Sequence, residues 1–581
     1  MFRPQLQAPS LLLLCALLFA PLAQAKTQTP DQQAVASAHP AATAAGHRIL
    51  DQGGNAFDAA VSVAATLAVV EPYSSGLGGG GFFLLRQQRE AGVEYHFLDA
   101  RETAPLAADR DFYQDAEGQF QRDPALNGPQ AAGIPGLPAA LVLLAEEYGN
   151  LSLKQSLQPA IDAAEQGFGV TERYRMLGDF RLEAMRRNAE TTRLFLRDGE
   201  IPAVGTLIHQ AELAETLRAL AERGQAGFYQ GPVAKRLLDA VQAGGGVWQQ
   251  ADLDNYRVVE RQPVSFNSFG MRVISSPLPS AGGIALANLL QGLEVLPRAT
   301  PGSAAWTHQL VELMRRSYRE RMLLGDSDFV EVPTAKLLSA EHARAMASSI
   351  DPRKATPSTE LGEPAPFNEG TDTTHFSLID SQGNAVAATL SINLPFGAAF
   401  TVPGTGVLLN NEMDDFATDP TGENAYQLAG SEPNSVGPGK RPLSSMTPTM
   451  LENEEQLAVL GTPGGSRIIT MVLLGALEAI EGEKVESWVS RPRFHHQYLP
   501  DHIQIEDGAF NPEVQGELEA LGHTIKPVGR DYGDMHAVHW NKQTGELRAA
   551  SDPRGVGQAL IKRNAGQQTQ RRSEPRAVTA D

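Results

Sequence analysis

The sequence holds a single cysteine among 581 residues, and that one, Cys15, lies inside the apolar run from Leu11 to Ala20. Once that run is removed, disulfides, a thiol nucleophile and zinc–thiolate sites are excluded together, and stability has to come from packing. No run near the start is long enough to span a bilayer, which takes about 20 apolar residues. Arg3 precedes the apolar run and the small-x-small tripeptide Ala23-Gln24-Ala25 follows it. Together they predict a secretory signal peptide over 1–25 and an exported chain, periplasmic or extracellular, with no stable membrane anchor. Leu14, directly before the cysteine, is too bulky for a lipoprotein cleavage site. Basic residues are the minority charge: 48 Lys and Arg against 68 Asp and Glu give a formal net charge of −20. That surplus repels phosphate backbones and anionic lipid surfaces, so no nucleic-acid partner is expected and the acidity reads as solubility.

Two further absences remove tempting chemistries. The glycine run Gly76 to Gly81 is not followed by G-K-[S/T], so it reads as close packing or a turn rather than a phosphate cradle. The pairs His495-His496 and His536/His539 lack the spacing and adjacent glutamate of a zinc-protease helix, and they read as structural. Neither a metal nor a cofactor is expected.

What is present is an ordinary globular balance, 42% hydrophobic and 20% charged, in a chain long enough for a large core. Length alone leaves the domain count open. Alanine-rich helical patterns run from His39 to Gln52 and from Asn55 to Val70, separated by Gly53-Gly54 as C-cap and turn. Phe82 to Leu85 suits a short buried strand. A helix is expected from Pro135 to Tyr148 and another from Leu153 to Gln166. The middle, to about Thr356, reads as mainly helical, and Pro357 to Gly370 as an exposed connector. Beyond it, His375–Asp380 and Ala385–Ile392 form a hairpin across Ser381-Gln382-Gly383-Asn384. A strand over Leu457–Leu460 leads through Gly461 to Gly465 into a helix over Ser466–Ile480, and the polar tail from Gly566 reads as frayed. Strands gathered in the C-terminal third, with helices before them, predict an α+β fold of helices layered over antiparallel sheets.

The stretch from Thr371 to Ser377 (T-D-T-T-H-F-S) sits where the connector becomes a strand. A hydroxyl there has a plain reading, since threonine favours strand entrances. The surrounding strings carry more: G-L-G-G-G-G-F (76–82), A-R-E-T-A-P (100–105), G-I-P-G (133–136), D-T-T-H-F-S (372–377), L-L-N-N-E-M-D-D-F (408–416), R-P-L-S-S-M (441–446) and G-T-P-G-G-S-R (461–467). In content and order they resemble the γ-glutamyltransferase family of N-terminal-nucleophile hydrolases.

The resemblance implies a four-layer αββα sandwich and a precursor that cuts itself between Asp372 and Thr373. The products would be a large subunit, 26–372, and a small one, 373–581, intertwined as a heterodimer around one catalytic domain. Thr373 would be the nucleophile. A chain-terminal threonine carries its own general base, an α-amino group with a reference pKa of about 7.7–8.0. By position Ser391 stands where the family has a threonine hydrogen-bonding to the nucleophile, and Gly464-Gly465 stand at the oxyanion hole. Arg101 with Ser444 and Ser445 would hold the substrate carboxylate, and Asn393, Glu412 and Asp415 its ammonium. Some bacterial members carry glutamine where Glu412 stands. Tyr426 falls in a segment that can serve as a lid.

The activity implied is γ-glutamyl transfer from glutathione and related small molecules to water, amino acids or dipeptides. Two alternatives stay open: a cephalosporin or glutaryl acylase of the same fold, and a secreted binding module that has lost catalysis.

Overall fold

The computed structural model describes residues 28–362, 373–417 and 431–563. The expected signal peptide, Asp372, Tyr426 and the tail from Gly566 lie outside the described residues.

The apolar run that begins at Phe82 shows how this sequence sets its layers. Phe82 and Leu84 point one way, Phe83 and Leu85 the other, and all four are fully buried in the strand Gly80–Arg89. A strand apolar on both faces belongs in the middle of a layered structure. It lies in a seven-stranded antiparallel sheet, in the order Gln558–Arg563, Gln32–Ser37, Thr374–Ile379, Ala385–Ser391, Gly80–Arg89, Gly92–Ala100 and Val259–Arg261. A second antiparallel sheet runs Leu547–Ser551, His536–Asn541, Gln456–Gly461, Thr449–Glu452, Met271–Ser275 and Val264–Ser268.

On the first sheet Val35, Phe83, Leu85, Leu98, Phe376 and Leu378 pack under the helices Pro40–Asp51, Ala56–Val70 and Leu153–Gln166. The alternate residues Ala34, Ala36, Phe82, Leu84, Phe97 and Ile379 meet the second sheet. That sheet is covered outside by the helices Gly282–Val295, Ala304–Glu320 and Ile468–Ile480. The result is the four-layer αββα sandwich. Each fully buried Phe or Leu contributes about 1.5–3 kcal/mol, which is how a cysteine-poor chain is stabilised.

The outer helices also fix the start of the strand that follows Thr373. Asn55 caps Ala56–Val70 by accepting from Phe57 N at 2.8 Å and Asp58 N at 3.0 Å, while Asp58 accepts from Asn55 N at 2.9 Å. This reciprocal cap sets where the helix begins. Its other end delivers Glu71, whose carboxylate accepts a 2.8 Å hydrogen bond from the Thr374 hydroxyl.

Three expectations need correction. Strands are not confined to the C-terminal third: Gln32–Ser37, Gly80–Arg89, Gly92–Ala100 and three strands between Val259 and Ser275 come from the N-terminal part. Burial on both faces hides the period-two alternation that would have marked some of them. The helix expected from Pro135 begins at Leu137, runs to Leu143 and ends in a wider turn over Leu144–Tyr148. The helix expected from Ser466 is a 3₁₀ turn over Gly465–Arg467 before Ile468–Ile480. Among the described residues no helix is long and apolar enough to cross a membrane.

Candidate active site

Thr373 directly precedes the strand Thr374–Ile379, whose Thr374 pairs with Leu390, so Thr373 emerges beside Ser391 at the end of the neighbouring strand. Side chains alternate along a strand. Thr374 turns to the helices and Glu71, so Thr373 shares the side of His375, between the sheets. His375 is no base. Both ring nitrogens are engaged, with Thr389 Oγ1 at 2.9 Å and Ser377 Oγ at 3.0 Å, and complete burial holds it neutral, well below the usual histidine range. Gly461 on the second sheet leaves room for the ring, since an added Cβ would strike it.

A cleft opens at this point, lined by Thr373, Ser391, Asn393, Arg101, Glu412, Asp415, Ser444, Ser445 and Gly465, with Arg321, Met446, Ser466 and Ile468. Every expected site residue within the described part is thus gathered here except Gly464, the neighbour of Gly465. Both glycines have left-handed backbone, φ 139° and 57°. This turn after strand Gln456–Gly461 is one a side chain would resist. Asn393 also takes φ 70°, where asparagine is among the better tolerated residues, and its backbone N–H donates to Ser391 Oγ at 2.8 Å.

The glycine run is packing, as expected. An added Cβ would collide with the Leu408 carbonyl at Gly78, with that of Ser391 at Gly79 and with that of Ala100 at Gly80. These contacts bring the glycine run tight against the ends of three strands.

Arg101 leaves the end of strand Gly92–Ala100 and is 1% exposed. Its backbone N–H donates to Asp99 Oδ1 at 3.0 Å, and its carbonyl accepts from the Tyr256 hydroxyl at 2.8 Å. Its guanidinium donates to Glu412 Oε1, to Asp415 Oδ2 at 2.5 Å and to the Pro442 carbonyl at 3.3 Å. The groups expected to hold opposite ends of a zwitterion therefore also pair with each other. Burial works against the Arg101 charge, but Glu412, Asp415 and Glu102 outweigh it and keep the guanidinium firmly protonated. Burial, with the charge of Asp415, pushes the Glu412 carboxyl up to about 7 despite Arg101. Burial and the charge of Glu412 raise the Glu102 carboxyl further still.

Asn410 sets Glu412 in place. Its Oδ1 accepts from the backbone N–H groups of Glu412 at 2.9 Å and Gly133 at 3.0 Å, and its Nδ2 donates to the carbonyls of Gly78 and Gly133 at 2.7 and 2.8 Å.

Several buried polar atoms in the cleft have no hydrogen-bond partner: Thr373 Oγ1, Glu412 Oε2, Ser445 Oγ and Arg321 Nε. Buried polar groups are nearly always paired, so this concentration marks a place made for a ligand. The expected hydrogen bond from Ser391 to Thr373 is not made here: Thr373 Oγ1 has no partner, while the Ser391 hydroxyl accepts from Asn393 N.

The sequence reading missed Arg321, Glu71 and Asn410. Asn410 lies within the N-N-E-M-D-D string that supplied Glu412 and Asp415. Glu71 carried no signal, standing alone at a helix end.

His308, Glu312 and His523 bring ligand-type atoms within 4.8 Å of one another. Glu312, however, is paired with Arg316 at 2.6 Å and Arg315 at 3.3 Å, and the two rings hydrogen-bond to each other at 2.8 Å. Two guanidiniums beside the only carboxylate oppose a cation there. His495 likewise bonds Thr470 Oγ1 at 2.8 Å and Gln497 Oε1 at 2.6 Å, a structural arrangement.

The model of the family described as "Gamma-glutamyltranspeptidase" matches residues 42–561. A glutathione hydrolase proenzyme of Pseudomonas sp. (strain A14) is 40% identical over 494 residues, covering 84% of this chain and 85% of that one. That of Escherichia coli (strain K12) is 39% identical over 533 residues, covering 90% and 91%. Among solved structures, a cephalosporin acylase from Bacillus halodurans superposes with a TM-score of 0.81 at 27% identity, covering 96% of this chain and 99% of its own.

Proposed function

Because the chain belongs to the gamma-glutamyltranspeptidase family, we propose that it is a glutathione hydrolase and γ-glutamyltransferase working through Thr373. It moves the γ-glutamyl group of glutathione and other γ-glutamyl compounds to water, amino acids or peptides, and so takes part in glutathione catabolism. The observation that carries this reading is the gathering, in one cleft beside Thr373, of a guanidinium, two acidic side chains and unpartnered polar atoms. An α-amino acid offers both charges at one carbon, and a site pairing Arg101 with Glu412 and Asp415 offers the complement of both. On binding, the substrate carboxylate takes up donors of Arg101, Ser444 and Ser445, and the ammonium takes Asn393, Glu412 and Asp415.

The Thr373 hydroxyl then attacks the γ-carbonyl carbon, giving its proton to the α-amino group of the same residue. The developing oxyanion meets the backbone N–H groups of Gly464 and Gly465. The amine leaves with the proton, and water or an acceptor amine resolves the γ-glutamyl ester. Thr373 has a free amino group only after the Asp372–Thr373 bond is cut, so one precursor is processed into the subunits 26–372 and 373–581. The Thr373 hydroxyl makes that cut too, attacking the Asp372 carbonyl and shifting the acyl group from nitrogen to oxygen before water releases it. Export follows from the leader over 1–25.

A glutaryl acylase is the second reading, favoured by the superposition on the acylase structure. It gives no role to Glu412 and Asp415, because a glutaryl group carries no ammonium. Turnover of γ-glutamyl-p-nitroanilide against glutaryl-p-nitroanilide decides between them. The γ-glutamyl compound is expected to be the faster, and the reverse order would overturn the assignment.

A further inference from the structure

A second arginine closes the same cleft, and its charge is poorly answered. Arg321 is 8% exposed and lines the pocket with Thr373, Ser444 and Ser445. Its Nε has no partner, its Nη2 donates one long hydrogen bond to the Leu443 carbonyl at 3.5 Å, and it forms no ion pair among the described residues. Other buried arginines are treated differently: Arg316 has Glu312 at 2.6 Å, Arg86 has Glu452 at 2.7 Å, and Arg181 donates to the carbonyls of Pro395 and Gly397 at 3.1 and 2.8 Å. Burial lowers the pKa of Arg321 to about 10, against the pull of Asp415 and with the like charge of Arg101, so it is still a cation at neutral pH. A buried cation without a close counter-charge is costly, and here it faces the place where a substrate sits.

The two guanidiniums approach one backbone segment. Arg101 Nε donates to the carbonyl of Pro442 and Arg321 Nη2 to that of Leu443, and the next two residues are Ser444 and Ser445. Arg101 is already engaged by Glu412 and Asp415, while a carboxylate has about four lone-pair directions to satisfy.

We propose that Arg321 is the second cation of the donor site, so that the α-carboxylate of a γ-glutamyl donor lies over Ser444 and Ser445 between Arg101 and Arg321. This rests on the γ-glutamyl reading above and adds a binding residue to it. A bridging anion answers both guanidiniums and removes their mutual repulsion. It also gives the unpartnered Ser445 hydroxyl an acceptor.

The test compares two donors that differ only in the carboxylate, γ-glutamyl-p-nitroanilide and 4-aminobutyryl-p-nitroanilide, in the parent and in Arg321→Gln and Arg321→Lys. Self-cleavage on a denaturing gel and thermal melting report folding. The parent is expected to prefer the γ-glutamyl compound in kcat/KM. Arg321→Gln is expected to shrink that preference by roughly tenfold or more, the loss of one charge-assisted hydrogen bond, with the change carried by KM. Arg321→Lys, which keeps the charge but not the fork, is expected to recover part of it, and it carries the test alone if the glutamine variant does not accumulate. An unchanged preference in a processed variant overturns the role of Arg321, as does failure of both variants to fold. A parent that turns over neither anilide overturns the γ-glutamyl reading itself, a distinguishable result.

Discussion

Glu412→Gln isolates one charge of the site without changing its shape. The side chain is 1% exposed, accepts from Arg101 and shares that guanidinium with Asp415. Glutamine still offers an acceptor to a substrate ammonium, so only the ionic part of that bond is lost. A hydrogen bond to a charged group contributes about 1.5–3 kcal/mol against about 0.5–1.5 for a neutral pair. The difference, about 1–1.5 kcal/mol, is roughly a fivefold to tenfold rise in donor KM at a pH where Glu412 is ionised. Because burial holds its pKa up to about 7, the parent keeps this carboxyl mostly protonated at lower pH and mostly charged at higher pH. The affinity contribution is therefore present above about 7 and lost as pH falls through it. The assay is donor KM for parent and variant from pH 6 to 8.5, taken as a ratio so that the titration of the Thr373 amino group, common to both, cancels. The ratio is expected to approach one at pH 6 and reach its full value at pH 8. A ratio that is flat across this range, or largest at low pH, refutes the placing of the ammonium at Glu412.

Arg101→Ala leaves Glu412 and Asp415 facing each other without their shared cation, a change that costs about 3–5 kcal/mol when a buried pair loses one member. A clearly lowered melting temperature and a sharply raised donor KM are expected, with Arg101→Lys recovering part of each. Gly79→Ala drives a methyl group into the Ser391 carbonyl, and overpacking of this kind costs about 1–3 kcal/mol. Both thermal stability and kcat should fall, since Ser391 borders the nucleophile. Gly516→Ala, where an added Cβ meets nothing within 4 Å inside the helix Pro512–Ala520, is expected to stabilise by about 0.5–1 kcal/mol and leave kcat unchanged.

How far the sequence revealed this arrangement depended on where each residue gets its meaning. The strand pair around the turn at Ser381 to Asn384 and the capped helix after Asn55 were legible because local rules decide them. Gln32–Ser37 was not: it is a central strand of small and polar residues whose partners, Gln558–Arg563 and Thr374–Ile379, lie hundreds of positions away. The strand Val264–Ser268 does alternate buried and exposed residues, a period-two pattern that the reading of the middle as mainly helical passed over. Arg101, Glu412, Asp415 and the two serines came from the resemblance alone, since nothing in an arginine or a carboxylate by itself distinguishes a site from a solvated surface. Arg321 shows the limit. It ends a run rich in arginine, from Arg315 to Arg321, in which nothing local sets one arginine apart, yet Arg315, Arg316 and Arg321 are all buried.

The central claim is that Thr373 is both the cleaving group and the nucleophile, and N-terminal sequencing of the small chain tests it most directly. The purified parent is expected to run as two chains on a denaturing gel, the smaller beginning at Thr373. Thr373→Ala is expected to remain one chain without activity, and Thr373→Ser to be cleaved and to turn over more weakly. An active protein that stays a single chain, or a small chain that begins at any other residue, contradicts the account.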